Sequence, residues 1–187
     1  MFFIDTCIMA FRKGVGKDLD CFYSSHYKGR GAPDYYRFLW GFCKIIEAKT
    51  VIEIGTFHGG SCYAMGDIPG INIYTVDIED QITNQRRDNI KYIIGDSRDS
   101  TIVENLRKEI TQKRIDLLYV DSVHSYESTF ENMKLYGSKF HPKYVILDDI
   151  RLNAEMKQLW RDLKKYEKMD VGCLLNRHCG FGVIKCR

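Results

Sequence analysis

The stretch TVIEIGTFHGGS, Thr50 to Ser61, decides the fold. Thr50, Val51, Ile52 and Ile54 are β-branched and the run stops at Gly55, the pattern of a central parallel strand covered on both faces. Beyond it, Gly59 and Gly60 precede a short helix that starts at about Ser61. Glycine lets the backbone approach a ligand closely, and a helix N-terminus offers unpaired N–H groups to a carboxylate or phosphate. The same residues also suit a plain strand-to-helix turn. They do not follow the dinucleotide pattern G-x-G-x-x-G, because Thr56, Phe57 and His58 stand where a second glycine is needed.

Working outward, Tyr35, Leu39, Phe42, Ile45 and Ile46 keep the spacing of one helical face, with Pro33 in the first turn, so a helix precedes the strand. Downstream, INIYTVDI, IKYIIGD, RIDLLYVD and KYVILDD read as four more strands. Between and after them, helical spacing appears at Ile102, Val103, Leu106 and Ile110, at Tyr126, Phe130 and Met133, and at Leu152, Met156, Leu159, Trp160 and Leu163. The tail segments MDVGCLLN and GFGVIKC suit an antiparallel edge hairpin. Strands alternating with helices give an α/β fold, one doubly wound Rossmann-like sheet, mostly parallel, with helices on both faces.

At 187 residues and 44% hydrophobic content the chain supports a single core. The domain is expected over residues 32–187, preceded by an irregular segment, 1–31, whose Tyr23, His26, Tyr27, Lys28 and Arg30 suit a lid over the site, a flexible arm or a dimer contact. A formal charge of +3 from interspersed basic and acidic residues gives no stripe for nucleic acid, and no apolar run is long enough for a membrane span. The seven cysteines are odd in number and lack metal-type pairing, which argues for reduced thiols and a cytoplasmic protein. Alternation around His178 and Cys179 favours buried strand cysteines over a zinc site.

Ligands of such sheets bind outside the carboxyl ends of the strands. Asp77 ends the second strand, where a carboxylate accepts from ribose hydroxyls; the acidic neighbours Glu79 and Asp80 also allow a solvated loop acid. Asp96 and Ser97 end the third, placed either for an adenine ring or, for Ser97, to cap the next helix. Asp121 ends the fourth, and Asp148 and Asp149 the fifth. Singly each reads as a helix cap; together, three carboxylates repel unless a cation or proton lies among them, and an all-oxygen set suits Mg2+ or another hard divalent ion. His124, just beyond Asp121, has a side chain whose ordinary pKa of about 6.5 lets it act as a base near neutrality.

The segments IEIGTFHGGS, YTVDI, IIGDS, LLYVDSVHSYE and YVILDDI together resemble the class I S-adenosylmethionine-dependent methyltransferases, and within them the metal-dependent O-methyltransferases that include catechol and macrolide-sugar enzymes. The resemblance covers about residues 50–150. It implies a seven-stranded sheet whose last strand is antiparallel. It implies that Glu53 and the turn Gly55, Thr56, Phe57, His58, Gly59, Gly60 and Ser61 hold the methionine part of S-adenosylmethionine, Asp77 the ribose, and Asp96 with Ser97 the adenine, with Ile78 also at the cofactor. Asp121 would serve both cofactor and metal, with Asp148 and Asp149 as the other Mg2+ ligands and His124 as general base. The catechol branch carries lysine at the base position and asparagine at the third ligand, so His124 and the aspartate pair look more like the sugar-hydroxyl branch. The expected activity is O-methylation of a small-molecule hydroxyl, most of all on a sugar or polyol, with Lys28, Arg30 and Arg151 as candidate acceptor contacts. An NAD(P)-dependent oxidoreductase and a cofactor-binding subunit without catalysis are the competing readings, and the oligomeric state stays open.

Overall fold

The computed structural model describes residues 2–19, 34–82 and 86–186. Its strands are β1 (Thr50–Ile54), β2 (Asn72–Asp77), β3 (Ile90–Ile94), β4 (Leu117–Val120), β5 (Tyr144–Asp148), β6 (Glu167–Asp170) and β7 (Phe181–Lys185). Its helices are α1 (Phe3–Gly14), α2 (Asp34–Ile45), α3 (Gly60–Gly66), α4 (Ser100–Glu109), α5 (Tyr126–Phe140) and α6 (Ala154–Asp162). The seven strands form one sheet in the order β3-β2-β1-β4-β5-β7-β6. Only β7 runs antiparallel to its neighbours, β5 and β6. The order reverses between β1 and β4, and that switch point opens a crevice beyond their carboxyl ends.

Strand alternation divides the core in two. Val51 of β1 packs with Phe38, Leu39 and Phe42 of α2, whereas Ile52 and Ile54 pack with Val103 and Leu106 of α4 on the other face. Every residue of β1 is buried, as its unbroken β-branched run requires.

The opening residues, read above as irregular, form α1, which packs along α2 through Phe3, Cys7, Ala10 and Gly14. The signal was present as helical spacing of small and apolar residues. A Cβ on Gly14 would collide with the Arg37 carbonyl and one on Gly41 with the Ala10 carbonyl, so the two helices cross in backbone contact. Tyr23, His26, Tyr27, Lys28 and Arg30 lie outside the described residues.

Three other expectations shift. In the tail, β6 begins at Glu167 and stops at Asp170, because Asp170 Oδ1 accepts from the Gly172 and Phe181 amides (2.8 and 3.2 Å) and closes a loop instead of prolonging the strand. Cys173 is consequently exposed and Cys179 half-buried in that loop, not inward on a strand. Leu152 is exposed ahead of α6, whose cap is Asn153, its side chain accepting from Met156 N at 2.9 Å. Phe130 faces solvent, and α5 buries Ser128, Thr129, Asn132, Tyr136 and Phe140 instead.

At the opposite edge from the crevice, buried Asp116 ties three segments together. It accepts from the Lys49 and Thr50 amides (2.8 and 3.0 Å) and from Lys143 Nζ (2.7 Å). Burial pushes its carboxyl up, but the Lys143 ammonium and the two amides outweigh this and hold it below its ordinary value. A depressed native pKa contributes stability that is present above the unfolded value, about 3.9, and is lost as pH falls through the native one. Asp116→Asn should therefore cost about 2 kcal/mol near pH 7, the scale of hydrogen bonds to a charged group. The gap to wild type in urea unfolding should shrink below pH about 4. A gap independent of pH would show that the charge is irrelevant.

Candidate active site

The crevice holds a cavity of about 630 Å³ reached by the ends of five parallel strands. From β1 come Gly55, Thr56 and Phe57, with Ser61 of α3; from β2, Asp77 and Ile78; from β3, Asp96 and Ser97; from β4, Asp121; from β5, Asp148. Gly55 has φ +96°, and a Cβ there would collide with the Asp121 carbonyl, so only glycine lets the β1 turn pass so close to β4. Asp77 Oδ2 accepts from the Thr56 and Phe57 amides at 2.7 and 2.8 Å, which fixes the turn against β2.

Glu53 does not line the cavity. It is fully buried behind it, where Ser61 and Thr75 donate to its two oxygens at 2.5 and 2.6 Å. Burial pushes its carboxyl up to about 8, the two hydroxyls pulling the other way. His58 turns aside, its Nδ1 3.0 Å from the Gln81 carbonyl oxygen, and Gly59 at φ +84° leads into α3; with Gly60 they shape the turn without lining the cavity. On β3, Asp96 pairs with Arg98 at 3.0 Å, which lowers its pKa. Ser97 is not the cap of α4, a role Asp99 fills by accepting from Thr101 N at 2.7 Å. Ser97 Oγ instead donates to Asn132 Oδ1 at 2.8 Å, and Tyr136 donates to the Ser97 carbonyl at 2.9 Å.

Of the three acids expected around one cation, Asp121 and Asp148 come together with His124, and Asp149 is not in that group. Asp121, His124 and Asp148 each place one ligand atom within 4.8 Å of the others. His124 Nε2 lies 3.5 Å from Asp121 Oδ1 and 3.9 Å from Asp149 Oδ2, ionic contacts longer than hydrogen bonds. Asp149, with φ +52°, is turned toward Arg177, whose Nη2 is 2.6 Å from its Oδ1.

A family model, that of the rhamnosyl O-methyltransferase/CmcI proteins, matches residues 21–170. The chain belongs to this O-methyltransferase family. No curated protein matches it by sequence. Among solved structures, the O-methyltransferase TomG of Streptomyces achromogenes is similar with a TM-score of 0.67 and 13% identity over 100% of this chain and 99% of that one. A methyltransferase of Podospora anserina is similar with a TM-score of 0.63 and 13% identity, over 98% of this chain and 88% of that one. At such identity these likenesses show the fold. The oxidoreductase alternative gains nothing from them.

Within the methyltransferase cavity, electrostatics is set by burial. Asp148 is 4% exposed, and burial, then the neighbouring Asp121 charge, push its carboxyl up against the opposing pull of Arg177. Asp121 raises the His124 pKa, with burial acting against it. Arg177 and Tyr35 also line the cavity, the guanidinium carbon 4.2 Å from the ring centre. Neither was identified from sequence as a site residue: Tyr35 read as one position of a helical face, and Arg177 lies between the two tail segments read as strands. Among the described residues no helix is long and apolar enough to cross a membrane.

Proposed function

We propose that this methyltransferase moves a methyl group from S-adenosylmethionine to a hydroxyl of a small polyhydroxylated molecule, a sugar foremost, with a divalent cation at the β4 and β5 ends and His124 as base. The observation that carries the reading is that one cavity joins the glycine turn and Asp77 to Asp121 and Asp148, with His124 beside them. The rhamnosyl family name supports the acceptor class, and TomG in complex with SAM and the SAH-bound Podospora protein support the donor.

The residues fit a cation. Carboxylate oxygens of Asp121 and Asp148 lie within 4.8 Å of each other beside the His124 imidazole, and the buried Asp148 already draws one positive group, the Arg177 guanidinium, to its two oxygens at 2.8 Å. Asp121 and Asp148 would hold it, with Asp149 completing the set and the His124 imidazole left free as the base. When bound, S-adenosylmethionine supplies an electrophilic methyl group and the cation supplies charge that acidifies a nearby hydroxyl.

The chain's own part is placement and proton removal. The turn from Gly55 to Ser61 frames the methionine part, with Glu53 holding Ser61 from behind. Asp77 accepts from the ribose hydroxyls while its second oxygen anchors the turn, and Ile78, Asp96 and Ser97 surround the adenine. Tyr119 donates to Asp121 Oδ2 at 2.9 Å and fixes that carboxylate. His124 takes the acceptor's proton at Nε2, the nitrogen facing the acids. One O–C bond forms, one C–S bond breaks, and alignment of the reacting atoms supplies most of the acceleration.

The test is calorimetric titration with S-adenosylmethionine and with NAD, followed by incubation with a panel of sugars and catechols, with Mg2+ or with chelator, reading S-adenosylhomocysteine release. Binding of the sulfonium compound alone and Mg2+-dependent methylation of sugars are expected. Equal turnover in chelator sinks the cation, and a preference for catechols sinks the acceptor class.

A further inference from the structure

Arg177 has no assigned role in the chemistry above, yet its Nη2 sits between Asp148 and Asp149. That single nitrogen is 2.8 Å from each oxygen of Asp148 and 2.6 Å from Asp149 Oδ1. An Nη group carries two protons, so three carboxylate oxygens around it exceed what it can satisfy by donation. Arginine ordinarily meets a carboxylate through a two-pronged fork. Here the fork is unused, and the buried Nε has no hydrogen-bond partner among the described residues. Nη2 thus occupies the notch between the two Asp148 oxygens as a coordinated ion would.

Two backbone hydrogen bonds hold Arg177 in its loop without using the side chain. Arg177 N donates to the Gly172 carbonyl at 2.9 Å, and the Arg177 carbonyl accepts from Gly180 N at 3.1 Å. The guanidinium lies over the Tyr35 ring at the cavity wall, a surface along which a flat cation can slide while keeping its attraction to the ring.

We propose that Arg177 is a built-in counter-ion that alternates with a divalent cation at Asp148 and Asp149, so that loading the metal turns the guanidinium out toward the acceptor side of the cavity. This rests on the reading of the aspartates as a divalent-cation site. Two like charges cannot share the same oxygens, so whichever occupies the notch excludes the other. The guanidinium lets the acids coexist when no metal is bound, and it lowers apparent metal affinity by the fraction of molecules in which it holds the notch.

The experiment titrates the full chain with Mn2+, following the free-ion EPR signal, for wild type, Arg177→Met, which keeps length and removes charge, and Arg177→Lys. Circular dichroism confirms folding, and Arg177→Gln replaces the methionine variant if that one fails to fold. The uncharged variant is expected to bind Mn2+ about tenfold tighter or more, which corresponds to a notch free in a tenth or less of wild-type molecules, with lysine intermediate. Equal or weaker binding by the folded uncharged variant overturns the proposal while leaving the cation site intact. Absence of Mn2+ binding in all three proteins overturns both. Tighter binding in the uncharged variant that is lost on adding Asp148→Asn assigns the competition to the notch; its persistence there overturns the assignment.

Discussion

His124→Ala is expected to cut the turnover of hydroxyl methylation by about 10²–10⁴-fold, the usual worth of a positioned general base. The loss should be chemical because alanine leaves the surrounding turn in place. Asn153 Nδ2 donates to the His124 backbone carbonyl at 2.7 Å, and Ser125 caps α5 by accepting from Ser128 N at 3.2 Å; neither bond uses the imidazole. Binding of S-adenosylmethionine, measured by calorimetry, should then stay within a few-fold of wild type. His124→Gln separates base from spacer: glutamine keeps a polar group of similar reach but cannot accept the proton, so it should be as inactive as alanine. Wild-type turnover in either variant would remove His124 from the reaction.

The second large effect falls on Gly55. Gly55→Ala forces a side chain into positive φ and drives its Cβ into the Asp121 carbonyl. Left-handed backbone costs about 1–2 kcal/mol for a non-glycine residue, and overpacking typically adds about 1–3 kcal/mol. A total near 4 kcal/mol is a large part of the roughly 5–15 kcal/mol that holds a domain of this kind together. Gly70 provides the comparison, since it also has positive φ (+76°) but open space where its Cβ would stand. Gly70→Ala should show only the backbone share, about 1 kcal/mol. Urea unfolding of the two variants isolates the collision as their difference. Because the displaced atom is the Asp121 carbonyl, Gly55→Ala should also weaken cofactor binding. Equal destabilisation of the two variants would mean that the close approach of β1 and β4 is not what requires glycine.

Much of this arrangement could be read along the chain, and the legible features share one property. The run Thr50–Ile54, the later strands and the spacing at Val103 and Leu106 are local patterns whose period matches the element they form. Acids at the carboxyl ends of parallel strands of one sheet are brought to the same side by topology alone, which is why Asp77, Asp121 and Asp148 all reach the cavity. The features that were missed or left open depend on contacts between distant segments. Arg177 meets residues 28 and 29 positions earlier because β7 inserts between β5 and β6 and carries its preceding loop to the end of β5. Whether Ser97 capped a helix or faced a ligand turned on Asn132 and Tyr136, residues of a helix whose buried side the Phe130 spacing misjudged. Glu53 shows the same limit: its place at a strand end was readable, its recess behind Ser61 and Thr75 was not.

By itself, then, the sequence determined the order of strands and helices, the sheet they build and which strand ends carry acids, because periodicity and β-branching act over a few neighbouring residues. Only the tertiary structure decided which charge answers those acids, since the guanidinium comes from the loop before β7 and the carboxylates from the end of β5, and they meet only when β7 pairs with β5.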